Sequence, residues 1–216
     1  MKTNLLDLRR MDCMELMARY PDKHFDLAIV DPPYGGNDAI GMKDCKTKGK
    51  QATERTDYKL FDNTQPSSEY FLELKRVSKE QIIWGVNFYN TFDLSGGRIV
   101  WDKKGTAFGR AEMAYYSKSK SVNIVEIEWN GMLQSDMKNK ESRIHPTQKP
   151  VKLYDWLLSK YAEPGQKILD THMGSGSIAI ACHYAQCHLT ASELDEDYFN
   201  AACERIERET AQTTLF

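Results

Sequence analysis

No part of the sequence has the roughly 20 consecutive apolar residues that a bilayer-spanning helix requires, and Met1–Arg10 lacks the apolar core of a signal peptide. A cytoplasmic protein is therefore expected. Basic residues are not in excess: 29 Lys and Arg stand against 31 Asp and Glu, for a formal net charge of −2. That excludes attraction of the whole surface to a polyanion, so a nucleic-acid partner would be held by local patches. Cysteine is sparse and odd in number, five residues scattered at 13, 45, 182, 187 and 203, which excludes a disulfide framework and suits a reducing cytosol. Cys182-His183 and Cys187-His188 lack the spacing of metal ligands, the first pair lying in a helical stretch and the second entering a strand. No metal is expected. Internal repeats and extended low-complexity segments are also absent. At 216 residues, 41% of them hydrophobic and 28% charged, the chain suits one domain with a real core and is too short for two large ones.

Proline is scarce as well, at seven residues, which makes an adjacent pair informative. Asp31-Pro32-Pro33-Tyr34 directly follows the apolar run Phe25–Val30. Two successive prolines lack N–H groups and hold φ near one value, so neither a helix nor a strand ladder continues through them. What remains is a rigid turn presenting a carboxylate (Asp31), a main-chain carbonyl (Pro32) and a flat aromatic face (Tyr34). That set suits a primary amine on an aromatic ring: two acceptors take the amine's two hydrogens while the tyrosine stacks on the ring.

A second segment runs from Ile168 through Asp170, Thr171, His172, Met173, Gly174, Ser175, Gly176 and Ser177 into an apolar helical stretch from Ile178. A strand, a glycine-containing turn and a helix in that order place backbone N–H groups and a helix N-terminus around a ligand. About twenty residues on, Glu193 ends the short apolar stretch His188–Ser192, where an acid can take both hydroxyls of a ribose. A nicotinamide-binding reading competes, but the third glycine is absent and that reading leaves Asp31–Tyr34 unexplained.

With both segments in view, nearly the whole chain resembles the amino-directed DNA methyltransferases that use S-adenosylmethionine. His145-Pro146-Thr147-Gln148-Lys149-Pro150-Val151 is similar to the family's segment before the cofactor strand, and Ser192–Tyr198 to its ribose-binding acid and following helix. Trp84-Gly85-Val86-Asn87 and Val100-Trp101-Asp102-Lys103 resemble the strand ends between the two halves. The order, catalytic tetrapeptide first and cofactor loop last, matches the permuted beta subgroup. One departure stands out: Thr171-His172 occupies the place of the family's usual Pro-Phe, which leaves open how the cofactor pocket is walled there. The resemblance implies a single Rossmann-like α/β domain over residues 1–216 with a mainly parallel sheet and a circularly permuted motif order. It implies methyl transfer from S-adenosylmethionine to a flipped-out base in double-stranded DNA, with Asp31, Pro32, Pro33 and Tyr34 as the catalytic turn. Asp170, His172, Gly174, Ser175, Gly176, Ser177 and Glu193 would line the cofactor, with Asp31, Thr147 and Lys149 close by. Two readings stand for Asp12: a contact to the cofactor's adenine edge, or a helix N-cap. Asp rather than Ser before Pro-Pro-Tyr leans toward adenine N6. Cytosine N4 is the alternative, followed by an RNA or protein-glutamine amine, or a DNA-binding relic.

Apolar periodicity predicts strands over Leu5–Met11, Phe25–Val30, Gln81–Val86, Arg98–Trp101, Met113–Tyr116, Val122–Trp129, Ile168–Asp170 and Leu189–Ser192. Helices are predicted over Cys13–Arg19, Ser67–Val77, Val151–Tyr161 and Tyr198–Glu209. If the strands ending at Asp31 and Asp170 are neighbours, target turn and cofactor loop share one crevice. Residues 35–63 and 104–144 are the candidate DNA-contacting insertions. The first holds Lys43, Lys46, Lys48 and Lys50, followed by Arg55 and Lys59, and a solvated loop is its competing reading. Lys138, Lys140 and Arg143 form a second basic stretch. Phe108, Tyr115 and Tyr116 are candidates for a second aromatic face on the base. The tail from residue 210 ends in Gln212-Thr213-Thr214-Leu215-Phe216, which resembles the peptides that bind a bacterial sliding clamp. Such a chain would be bacterial or phage-encoded, and a homodimer is left open.

Overall fold

A computed structural model describes residues 1–35, 64–90, 93–104, 109–129 and 133–211. The lysine-rich segment after Gly35, Phe108 and the tail Gln212–Phe216 lie outside the described residues. Strands β1 (Leu6–Arg10), β2 (Phe25–Val30), β3 (Ser78–Trp84), β4 (Gly97–Asp102), β5 (Ala111–Tyr116), β6 (Val122–Glu126), β7 (Lys167–Asp170) and β8 (His188–Glu193) form one sheet, ordered β1-β8-β7-β2-β3-β5-β4-β6. Every pairing is parallel except the two made by β5, which lies antiparallel between β3 and β4. Helices α1 (Cys13–Met17) and α2 (Ser68–Val77) precede β3, while α3 (Val151–Tyr161), α4 (Ser177–Tyr184) and α5 (Glu196–Ala211) interleave with β7 and β8.

Strand β2 shows why the sheet is covered on both sides. Its successive side chains point to opposite faces: Leu27 and Ile29 join a core with Leu153, Leu157, Ile178 and Ile206, whereas Ala28 and Val30 join one with Leu16, Phe71 and Leu74. A strand buried on both faces reads as a continuous apolar run, as residues 27–30 do. The helices α3, α4 and α5 therefore cover one face and α1 and α2 the other.

The sheet order creates one topological switch point. From β2 the chain proceeds outward to β3, and from β7 it proceeds the opposite way to β8, so the strands diverge between β2 and β7. These two are direct neighbours, Leu27 opposite Ile168 and Ala28 opposite Leu169. A crevice opens beyond the carboxyl ends of such a pair, and Asp31 and Asp170 both stand there. Strand β8 pairs with β1 in parallel, Arg10 opposite Glu193. The last strand thus meets the first, which is the arrangement a permuted chain order requires.

Several boundaries differ from the periodicity by a few residues, and two of them have a visible cause. Strand β3 starts at Ser78, three residues before the expected Gln81, with no loop after α2; the Ser78 hydroxyl donates to the Leu74 carbonyl at 2.5 Å. The charged residues that disguise this start are paired on the rim, Lys79 with Asp26 and Glu80 with Lys118. Strand β6 ends at Glu126 instead of Trp129, because its partner β4 ends at Asp102, opposite Glu126; Trp129 beyond it is buried and donates its indole N–H to the Gln148 carbonyl at 2.9 Å. No helix among the described residues is long and apolar enough to cross a membrane.

Candidate active site

The turn after β2 is held by a closed set of polar contacts. The Asp31 carboxylate accepts the Tyr34 hydroxyl on Oδ1 at 2.5 Å and the Lys149 ammonium on Oδ2 at 2.5 Å. Lys149 arrives from the segment before α3 and is buried. Its Nζ also lies 2.9 Å from Glu112 Oε2 and 3.2 Å from the Tyr34 hydroxyl. An ammonium has three hydrogens, and these three partners use all of them. Glu112, on β5, pairs in turn with Lys103 just beyond β4. The result is a chain of alternating charge, Asp31–Lys149–Glu112–Lys103, laid across the ends of the central strands.

Burial pushes the Asp31 carboxyl up, more than the adjacent Lys149 pulls it down, and the neighbouring Glu112 charge adds to the rise. Burial acts upward on Glu112 as well, but its two lysines outweigh it and bring the carboxyl down to about 2. For Lys149, burial favours loss of the proton, yet the two carboxylates prevail and the net shift is upward. The network therefore carries Lys149 and Glu112 as ions, and Asp31 is the member whose charge is least secured.

The Tyr34 ring is fixed by close packing. It stacks on Phe88, with ring centroids 4.8 Å apart and planes 12° from parallel. Gly85, at φ +75°, lies against the same ring; a β-carbon there would fall 2.2 Å from Tyr34 Cε1, so no larger residue fits. The Pro32 carbonyl accepts the Tyr89 hydroxyl at 2.7 Å, and Gln65 donates to the carbonyls of both Tyr34 and Phe88. A carbonyl has two lone pairs, so Pro32 retains one acceptor position.

Across the switch point, β7 delivers Asp170 into a buried position where Oδ1 accepts the His172 N–H at 3.0 Å. Burial pushes this carboxyl up to about 8, opposed by the His172 hydrogen bond and reinforced by the charges of Asp31 and Glu193. At the end of β8, Glu193 accepts the Gly174 N–H on Oε2 at 2.9 Å and the Asp195 N–H on Oε1 at 3.0 Å. Gly176, at φ +74°, starts α4 against α5; a β-carbon there would come within 2.7 Å of Ile206. Three carboxylates thus stand at the ends of three adjacent strands, β2, β7 and β8. A ligand bearing cationic groups and a vicinal diol fits that donor set.

Other expected residues take specific places around this centre. The hydroxyls of Ser175 and Ser177 lie 3.1 Å apart and face inward, where the buried Arg205 of α5 donates to the Ser175 carbonyl and the Ser177 hydroxyl at 2.9 Å each. Arg205 also pairs with Glu141 at 2.7 Å. Thr147 is exposed and its hydroxyl lies 3.1 Å from His145 Nδ1. Asp12 caps α1, accepting the N–H groups of Met14 and Glu15 at 2.8 and 3.2 Å. Tyr115 and Tyr116 are both buried in the cores, and the ring beside Tyr34 is Phe88. Glu112, Phe88, Tyr89 and Gln65 do not stand out in the sequence. The one available signal is an acid at the edge of an apolar strand, Glu112 before Met113.

A family profile described as DNA methylase, of the N6/N4 type, matches residues 97–204. The putative methylase YubD of Escherichia coli (strain K12) is 27% identical over 209 residues, covering 90% of this chain and 87% of that protein. The type II methyltransferase M.HpaI of Haemophilus parainfluenzae is 31% identical over 71 residues, 33% of this chain and 23% of its own length. Among solved structures, the PvuII DNA methyltransferase (cytosine-N4-specific) matches with a TM-score of 0.61 at 13% identity, over 97% of this chain and 92% of that one. A putative DNA modification methylase from Thermus thermophilus, complexed with S-adenosyl-L-methionine, matches with a TM-score of 0.57 at 17% identity, over 96% of each chain. These two share the fold. The profile spans half of the chain, including β4 to β8, the Lys149 segment and the glycine turn, and on that ground the chain belongs to the N6/N4 family of DNA methylases.

Proposed function

We propose that this DNA methyltransferase acts on the exocyclic N6 amine of adenine, with Asp31 and the Pro32 carbonyl as acceptors for the amine's hydrogens. The observation that carries the reading is the carboxylate of Asp31 beside the Pro32 carbonyl and the Tyr34 ring, one strand away from Asp170. An arylamine is a weak nucleophile because its lone pair is delocalised into the ring. Hydrogen bonds to Asp31 and Pro32 hold the nitrogen so that the lone pair leaves the ring plane, and acceptors fixed in advance cost no reorganisation. Inside a duplex the amine is paired and out of reach, so the base must be extruded, and the Tyr34 ring supplies a stacking surface for it. S-adenosylmethionine, when bound, supplies a methyl group on a cationic sulfonium. Glu193 would hold its ribose, and Asp170 with the Gly174 turn its amino-acid end. A buried, largely protonated Asp170 is an acid waiting for a cation, which fits that ligand's ammonium.

Asp31 is the residue that favours adenine over cytosine here. The test is methylation of oligonucleotides holding each base in defined contexts, followed by nucleoside digestion and mass spectrometry. N6-methyladenine is expected. N4-methylcytosine as the only product would overturn the choice of base, and methylation by Asp31→Ala at the rate of the parent would remove Asp31 from the chemistry.

A further inference from the structure

We propose that Glu112 is a positioning residue for methyl transfer: it shares the Lys149 ammonium with Asp31, and so sets which oxygen of Asp31 meets the target amine and how strongly it accepts. This rests on the assignment of Asp31 as the acceptor. Lys149 sits between two carboxylates, 2.5 Å from Asp31 and 2.9 Å from Glu112, with its third hydrogen toward Tyr34. Held by Lys149 on Oδ2 and by the Tyr34 hydroxyl on Oδ1, Asp31 cannot rotate without breaking a buried ion pair. Oδ1, which carries no ammonium and accepts only the Tyr34 hydroxyl, is then the oxygen left to meet the target amine.

The division of charge matters as much as the orientation. A carboxylate that monopolises a buried lysine is a poor proton acceptor. One that shares it keeps more of its basicity, and a methylated amine must shed a proton as its nitrogen becomes cationic. Glu112 takes part of the Lys149 charge, and Lys103 decides how much, because it competes with Lys149 for Glu112. The groups facing Asp31 from the surrounding elements are Tyr34, Tyr70 of α2, Tyr89, Glu112 of β5, Lys149, Tyr154 of α3 and Asp170 of β7. The tyrosines are all shifted upward by burial and stay neutral. Besides Lys149, the titrating neighbours are Glu112 and Asp170, and only Glu112 touches Lys149.

Two substitutions therefore push Asp31 in opposite directions. Glu112→Gln leaves Lys149 to Asp31 alone, which makes Asp31 more acidic. Lys103→Gln leaves Glu112 to Lys149 alone, which loosens Lys149 from Asp31 and makes Asp31 less acidic. The measurement is the single-turnover rate of methyl transfer against pH, at saturating S-adenosylmethionine and DNA, with cofactor affinity followed by calorimetry. Glu112→Gln should lower the plateau rate about 10- to 100-fold, the range seen when the partner of a functional group is removed, and move the acidic limb to lower pH. Lys103→Gln should move that limb to higher pH, and the double variant should behave as Glu112→Gln, since Lys103 acts through Glu112. Cofactor affinity should stay within about twofold throughout, as none of these groups faces the glycine turn. Limbs that do not move, or that move the same way, would overturn the role of Glu112 and leave Asp31 standing. Lys103→Gln, on a half-buried residue at the rim, tests the same chain if Glu112→Gln does not fold. Asp31→Asn assayed alongside tests the parent assignment: a rate equal to that of the unaltered protein would sink that assignment itself.

Discussion

Replacing Asp170 with asparagine should stabilise the ligand-free protein while weakening its hold on S-adenosylmethionine. Asp170 is 2% exposed, and burial raises its carboxyl to about 8 from an ordinary value of 3.8. A folded-state value above the unfolded one means that the folded chain holds a proton the unfolded chain has released. Stability from this group is then full below pH 4 and declines as pH rises to 8. At about 1.4 kcal/mol for each pH unit over that interval, the burden at pH 7 is about 4 kcal/mol. Asparagine carries no charge to bury, and its oxygen can still accept the His172 N–H now taken by Oδ1. Urea unfolding of both proteins at pH 5 and pH 8 reads the difference. The asparagine variant should gain on the parent by about 2–4 kcal/mol between the two pH values, part of the burden being relieved by solvent entering the crevice. Calorimetry with S-adenosylmethionine should show proton release for the parent at pH 7, because a cation beside Asp170 drives it to ionise, and none from this site in the variant. A variant less stable than the parent at pH 8, or an unchanged gap between pH 5 and pH 8, would mean that Asp170 is not held protonated by its burial.

Arg205→Met should cost about 3–5 kcal/mol in urea unfolding, because it leaves Glu141 without its buried partner and frees the Ser175 carbonyl and Ser177 hydroxyl that the guanidinium holds. Cofactor affinity, read by calorimetry, should fall with it as the glycine turn loosens. Glu193→Ala should weaken cofactor binding by about 1.5–3 kcal/mol, the scale of a charge-assisted hydrogen bond, with DNA affinity nearly unchanged; equal cofactor affinity would remove Glu193 from the site. Tyr34→Ala should lose more methylation activity than Tyr34→Phe in steady-state assays. The phenyl ring keeps the stacking surface, worth about 1–3 kcal/mol per base, and gives up only the hydroxyl contacts to Asp31, Lys149 and Glu112.

The parts of the site legible in the sequence are those that depend on neighbours along the chain. Asp31-Pro32-Pro33-Tyr34 after an apolar run is a strand end whatever surrounds it. Gly174 and Gly176 between an apolar strand and an apolar helix likewise define a turn locally. That β2 and β7 lie side by side is implied by the family resemblance, not by any local pattern. The polar network around Asp31 is not legible, because its members come from separate elements that meet only once the sheet is ordered. Glu112 reaches Lys149 because β5 inserts antiparallel between β3 and β4, and no periodicity in residues 111–116 encodes that insertion. Phe88 ends a short 3-10 turn after β3, Val86–Phe88, and Tyr89 follows it in extended backbone, where apolar spacing carries no signal. The lysine of His145–Val151 is visible in the sequence as a residue expected close to the cofactor, but its three contacts, to Asp31, Glu112 and Tyr34, are not.

Thr171-His172 in place of Pro-Phe shows what the family position requires. Proline there would fix the backbone and phenylalanine would supply a flat, uncharged wall. In this chain the two duties are met by hydrogen bonds. The Thr171 carbonyl accepts the Ser192 hydroxyl at 3.2 Å, the Thr171 hydroxyl lies 2.6 Å from that of Tyr70, and the His172 N–H is taken by Asp170. These contacts tie the turn to β8, α2 and β7, so its path does not depend on a restricted φ. The ring of His172 meets Tyr70 edge-on, 5.6 Å between centroids, and burial lowers its pKa to about 4. At neutral pH it is therefore an uncharged aromatic plate. Were a cationic cofactor bound nearby, as proposed above, it would disfavour protonation of this ring further. In this chain a fixed turn and an uncharged ring are thus both provided by two polar residues, the Thr171 hydroxyl also meeting His172 Nδ1 at 2.9 Å.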